Sequence, residues 1–192
     1  MNRELARIDA VFACSHHASS DFDLSRESIW ISYRSTAIAD CTPSHVRHFG
    51  LHNRLATPVE PWEQLKIGGG APPILTRHGW LAIYHDVSEM ASSPGSTHKL
   101  RYSAGLMVLA EEAPEAIRYR SPEPVLTPEL LQERQGIVAN VVFPTAIDRR
   151  DDLGSPDRFD IYYWMADGRV GVAKLMVPQR LGVDATARWA DR

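Results

Sequence analysis

The sequence predicts an all-β fold, a sandwich, barrel or propeller built from short antiparallel strands. Three observations predict it. Runs rich in β-branched and aromatic residues recur along the chain, as in Ser28-Ile29-Trp30-Ile31-Ser32-Tyr33. Polar turns with Gly, Pro, Asp or Ser separate these runs at fairly even spacing. Almost no stretch holds an apolar 3.6-residue period for several turns. The 192 residues suit one domain and are ample to bury a core.

Residues 1–27 are left unassigned, with a short helix expected over 4–12 and a polar stretch after it. The β texture starts at residue 28. Residues 34–43 read as loop. Lys66-Ile67-Gly68-Gly69-Gly70-Ala71-Pro72-Pro73-Ile74 suits neither a helix nor a central strand, so an ordered turn or a close backbone approach is expected there. A turn at Arg77-His78-Gly79 opens a strand over 80–87. A long polar loop over 88–99 leads to a second strand over 100–109. One helical turn is expected within 111–117, and a turn at Ser121-Pro122-Glu123-Pro124. A strand over 137–147 is expected to stop at Pro144. Runs 159–166 and 169–177 form the clearest hairpin, about Asp167-Gly168. Residues 28–180 thus make the domain, and 181–192 read as a frayed tail. No strong internal repeat is visible.

Composition excludes some functions. Formal net charge is -3, from 21 basic and 24 acidic residues. That balance sets up no field for gripping nucleic acid or an acidic membrane. No apolar run reaches the length of a bilayer span, and no apolar segment follows Met1-Asn2-Arg3-Glu4, so a cytoplasmic location is expected. Two cysteines, Cys14 and Cys41, make no disulfide framework. With His16, His17, His45 and His48 they supply soft and imidazole ligands, but Cys-x-His followed by Cys-x3-His-x2-His is not a finger spacing, and scattered loop residues are the default reading. No metal or cofactor is assigned.

Six motifs carry a resemblance. They are Lys66-Ile67-Gly68-Gly69-Gly70-Ala71-Pro72-Pro73-Ile74; Gly79-Trp80-Leu81-Ala82-Ile83-Tyr84-His85; Tyr102-Ser103-Ala104-Gly105-Leu106; Arg120-Ser121-Pro122-Glu123-Pro124-Val125-Leu126; Asn140-Val141-Val142-Phe143-Pro144-Thr145; and Asp160-Ile161-Tyr162-Tyr163-Trp164-Met165-Ala166-Asp167. In this order, across residues 28–177, the chain resembles the C-terminal part of glycoside hydrolase family 130. The resemblance implies a five-bladed β-propeller of antiparallel four-stranded blades, of which this length supplies three to four. It also implies inverting β-mannoside phosphorolysis, with inorganic phosphate as co-substrate and mannose 1-phosphate as product. Inversion by an external nucleophile needs only one enzyme carboxylic acid.

The resemblance implies roles for five residues. Lys66 falls on the phosphate-site lysine, and an ammonium beside a glycine run suits a small anion. On sequence alone it is more readily a solvated loop lysine, with the glycines serving a turn. His85 falls on the histidine that contacts substrate, against the plainer reading of a hydrogen-bonded strand-end imidazole. Tyr102 falls on a phosphate-contacting tyrosine, or is a core aromatic. Asp167 falls on the aspartate that holds mannosyl hydroxyls, or is simply turn chemistry. Phe143 presents a ring to a sugar face, or packs in the core.

The departures matter as much. The family's acid lies in an upstream Glu-Asp-Pro-Arg segment, and two phosphate-clamping arginines also lie upstream; residues 1–27 match none of them. Ile147-Asp148-Arg149-Arg150 belongs to a downstream motif and does not replace the acid. His48-Phe49-Gly50 has phenylalanine where tryptophan is usual, and Asp86 follows His85 where glycine is common. Little or no phosphorylase activity is therefore expected from this chain alone. Two alternatives stand beside it: a non-catalytic carbohydrate- and phosphate-binding module, and a scaffold whose open edges make homo-oligomers.

Overall fold

The structure, a computed structural model, describes residues 10–14, 28–33, 50–90, 99–154, 157–181 and 190–191. Twelve strands are found among them: β1 Ala10–Cys14, β2 Ile29–Tyr33, β3 Gly50–Ala56, β4 Lys66–Gly69, β5 Ile74–Thr76, β6 Gly79–Met90, β7 Lys99–Leu109, β8 Ile117–Arg120, β9 Val142–Arg149, β10 Arg158–Met165, β11 Arg169–Met176 and β12 Ala190–Asp191. The described helices are one short α-helix, α1 Leu131–Arg134, and a 3-10 turn, Asp151–Leu153.

The strands form three antiparallel sheets, ordered β1-β2-β3, β4-β6-β7-β8 with β5 also on β6, and β12-β11-β10-β9. Two apolar clusters tie them together. Ile29, Ile31, Leu55 and Trp62 pack with Ile67, Ala82, Tyr84 and Met107 between the first and central sheets. Leu81, Ile83, Ala104 and Leu106 pack with Phe159, Ile161, Tyr163 and Leu175 between the central and third sheets. The side chains of β6 and β7 alternate between the two clusters. The central sheet is thus apolar on both faces, as a layer buried on both sides must be.

One device occurs twice. Glu63 is fully buried. Its carboxylate accepts the N–H groups of Val59 (2.9 Å) and Glu60 (3.0 Å) and the Tyr84 hydroxyl (2.6 Å). Glu133 is equally buried and accepts the N–H groups of Glu129 (2.7 Å) and Leu130 (2.8 Å) and the Tyr163 hydroxyl (2.8 Å). Each tyrosine lies opposite a glycine, Tyr84 over Gly105 and Tyr163 over Gly171. A Cβ on Gly105 would stand 2.3 Å from the Tyr84 ring, and one on Gly171 would stand 2.6 Å from the Tyr163 ring. Both glutamates close the string Thr-Pro-x4-Glu, beginning at Thr57 and Thr127. The central and third sheets are therefore successive copies of one unit, and each tyrosine faces the sheet before it.

Several sequence expectations are corrected. Residues 10–12 are strand rather than helix, and 4–9 lie outside the described residues. Lys66–Gly69 is a strand; it is tolerated because β4 is at a sheet edge, and the expected close approach comes at Gly70, where a Cβ would meet the Ile83 carbonyl at 2.8 Å. β6 runs on to Met90, past the expected stop at 87. Residues 111–116 form turns, and β8 follows them as a strand not anticipated. Pro144 does not end its strand. It sits inside β9, an edge strand, where a missing N–H breaks no ladder on the open side. Residues 137–140 are irregular instead. The tail contributes β12, which pairs Ala190 with Leu175. The Cys-His cluster has no described side chain.

Candidate functional site

Lys66, Val87 and Tyr102 lie side by side in one cross-strand row over β4, β6 and β7. Directly opposed residues of antiparallel strands share a face, so Lys66 and Tyr102 flank Val87 about 10 Å apart. His85 is two residues from Val87 and projects from the same face, the one turned to the third sheet. His85 is buried, whereas Lys66 and Tyr102 are half-buried. The His85 imidazole stacks near the Tyr102 ring, centroids 6.3 Å apart, and tilts against the Phe143 ring at 4.4 Å. β9 brings Phe143 there from the third sheet. Four of the five candidates therefore gather where two sheets meet.

Asp167 occupies the hairpin turn between β10 and β11, exposed, with φ 53°. Among the described residues it is linked to the cluster through backbone: the Ala166 N–H donates to Val141 O (3.0 Å), and the Tyr102 N–H donates to the adjoining Asn140 O (2.9 Å). The turn was expected on Asp167-Gly168. The left-handed residues are instead Ala166 (φ 46°) and Asp167, with the Gly168 N–H closing back on Met165 O at 3.1 Å. Two consecutive positive-φ residues match the twist of a hairpin.

Asp86 points to the opposite face. It is fully buried, and its Oδ1 accepts the Ser103 N–H at 3.0 Å, while Oδ2 has no partner. Burial pushes its carboxyl up to about 7, opposed by the Ser103 hydrogen bond and the Arg101 charge. Asp148 lies five residues along β9 from Phe143, about 17 Å away, and is exposed. Neither carboxyl shares the face of Lys66, His85 and Tyr102. Chemically, the meeting of the two sheets offers an ammonium, an imidazole, a phenol and a phenyl ring, groups that can donate to an anion and stack on a ring. Glu89, two residues beyond Val87 on β6, is an exposed carboxyl on this same face, one row further from His85.

Sequence reasoning missed two participants. Asn140 (φ 61°) holds the Tyr102 strand end through its carbonyl, and Glu133 holds the segment leading to it through Val141 N–H to Glu133 O, 2.9 Å. The available signal was the repeated Thr-Pro-x4-Glu string.

A family model described as beta-1,4-mannooligosaccharide phosphorylase matches residues 26–182. The beta-1,4-mannooligosaccharide phosphorylase of Ruminococcus albus is 37% identical over 128 residues, 67% of this chain and 36% of that protein. The 1,2-beta-oligomannan phosphorylase of a Thermoanaerobacter species is 35% identical over 125 residues, 65% of this chain and 38% of that protein. Among solved structures, beta-1,2-mannobiose phosphorylase from Listeria innocua, in complex with beta-1,2-mannobiose, superimposes with a TM-score of 0.60 at 26% identity, covering 81% of this chain and 38% of that one. The chain spans little more than a third of the length of the curated relatives it matches.

Proposed function

Because the chain belongs to glycoside hydrolase family 130, the mannooligosaccharide phosphorylases, we propose that its Lys66–His85–Tyr102–Phe143 face, rimmed by Asp167, is the mannosyl and phosphate half of a family-type site. In this reading each sheet is one propeller blade, so three of five blades are present. Lys66 and Tyr102 take phosphate, His85 and Phe143 contact the sugar, and Asp167 accepts from mannosyl hydroxyls. The observation that carries the reading is the shared face of Lys66, His85 and Tyr102, with the Phe143 ring 4.4 Å from His85.

The sequence sets the limit of the function. Phosphorolysis with inversion needs an acid on the leaving oxygen, and the Glu-Asp-Pro-Arg segment that carries the family's acid does not occur in these 192 residues. The chain is a binding half-site, with little turnover of its own. No described helix is long and apolar enough to cross a membrane.

Calorimetry with inorganic phosphate and with mannose tests the reading. The wild type is expected to bind both, and Lys66→Ala to lose about tenfold or more in phosphate affinity while keeping mannose. A phosphate-dependent release of mannose 1-phosphate from β-mannobiose by the isolated chain would overturn the half-site reading. Failure to bind either ligand would overturn the site itself.

A further inference from the structure

Among the described residues, three non-glycine positions have positive φ: Asn140, Ala166 and Asp167. All three meet at one junction. Left-handed backbone strains an L-residue, and alanine has no polar side chain to relieve it as Asn and Asp do. Ala166 is nevertheless fully buried, and both its backbone groups are used, its N–H by Val141 O and its carbonyl by the Val138 N–H (3.2 Å). Gly136 presses against it so closely that a Cβ there would stand 2.4 Å from the Ala166 oxygen. The surroundings enforce this conformation.

The segment 136–141 is irregular and cannot enforce anything by itself; Ile137 is 81% exposed. Its anchor is Glu133. The side chain is fixed from three sides by Glu129, Leu130 and Tyr163, and its backbone carbonyl takes Val141. From that point hydrogen bonds run to both flanks: Asn140 O to the Tyr102 N–H, and Val141 O to the Ala166 N–H beside Asp167. The Asp167 carboxylate hydrogen-bonds to none of the described residues and is exposed, so the turn displays it to solvent.

We propose that Glu133 is a positioning residue, and that the strained brace it anchors (Gly136 to Val141 with Ala166) holds Asp167 and Tyr102 at one fixed separation for a bound sugar phosphate. This rests on the site reading above. Strain held at a displayed carboxylate is preorganisation: the arrangement is present before the ligand arrives. Glu63 is the counterpart one sheet earlier, three residues before Lys66.

The test combines amide hydrogen exchange with mannose calorimetry on the full chain, for wild type, Glu133→Ala, Glu133→Gln and Ala166→Gly. Glu133→Ala is expected to speed exchange at Tyr102, Val141 and Ala166 while Leu106 in the central sheet stays protected, and to weaken mannose about tenfold to a hundredfold. Glu133→Gln keeps an acceptor oxygen and restores part of both effects. Ala166→Gly relieves the strain, raises the melting temperature and still lowers mannose affinity, so it decides the matter even if Glu133→Ala does not fold. Faster exchange or higher melting temperature with unchanged mannose affinity in these variants overturns the inference and leaves the site standing. A wild type that binds neither mannose nor phosphate sinks both.

Discussion

His85 and Asp86 are neighbours on β6 that look in opposite directions, and their environments differ accordingly. His85 meets the Tyr102 and Phe143 rings between two sheets. Asp86 meets Ile67 and Ser103 across its row, with Ser88 and Arg101 in the next row on the same face. Ser88 and Ser103 are buried beside it, and the Ser88 hydroxyl adds a weak opposing influence on the carboxyl. A carboxylate there gains one backbone hydrogen bond and a nearby guanidinium but loses its hydration, and loss of hydration wins: the folded pKa rises to about 7 from an ordinary 3.8. The folded chain therefore holds this proton more tightly than the unfolded chain does. Asp86 penalises folding progressively as pH rises from about 4 to 7, by on the order of 2–4 kcal/mol, and the penalty is constant above that. Asp86→Asn keeps an acceptor for the Ser103 N–H and removes the charge. It is expected to raise the urea midpoint at pH 8 and flatten its pH dependence between 4 and 7; an unchanged slope would show that Asp86 is not the titrating group. The sequence flagged this position only as an aspartate where glycine is common. Its burial depends on which face of β6 the residue takes, a matter of register that one sequence does not specify.

At the scale of elements, the Glu–Tyr–Gly unit explains why the central and third sheets look alike. The glutamate caps the loop entering the unit, the tyrosine brings that loop onto the second strand, and the glycine on the third strand leaves room for the ring. In the central sheet Arg120 also bonds Glu63 through one nitrogen, at 2.7 and 2.8 Å, and lies over the Tyr84 ring. Glu63→Ala would leave that half-buried guanidinium unpaired, at a cost of about 3–5 kcal/mol. Gly105→Ala and Gly171→Ala each force a methyl into a tyrosine ring and are expected to cost about 1–3 kcal/mol. Thermal unfolding reads all three, and a glycine variant as stable as wild type would show that the ring is not confined. The hairpin β10–β11 and strands β2, β6 and β7 were legible because period, propensity and turns agreed there. The repeat was not, since its matching residues are two short strings and two tyrosine–glycine pairs scattered over more than a hundred positions. β8 was hidden in the charged run Ile117-Arg118-Tyr119-Arg120, whose strand state comes from pairing with β7. The candidate site was legible as a list of residue types. Its geometry was not, because it depends on the β4–β6–β7 register and on the meeting of two sheets.

At the scale of the molecule, the repeat shows what the third sheet is built to do. Aligning Tyr84 with Tyr163 and Gly105 with Gly171 places His85 on Trp164, Ala104 on Val170 and Leu106 on Val172. In the central sheet Ala104 and Leu106 are buried against the next layer. In the third sheet Trp164, Val170 and Val172 are 42%, 58% and 49% exposed, with Met176 beside them at 40%. A face made for solvent would carry polar residues at these positions. Around Trp164, Val170 and Val172 this one has the composition of a packing face, and the relatives, nearly twice as long over their whole chains, have further polypeptide beyond the matched region. Isolated, the chain is expected to self-associate through this face as concentration rises. Val172→Lys with Val170→Thr should shift sedimentation velocity toward monomer while changing unfolding free energy by no more than about 0.5 kcal/mol, the usual effect of substitution at an exposed position. A double variant that loses several kcal/mol would mean that the face is already covered within the chain. A wild type that stays monomeric at high concentration would mean that its exposed side chains do not attract a second copy.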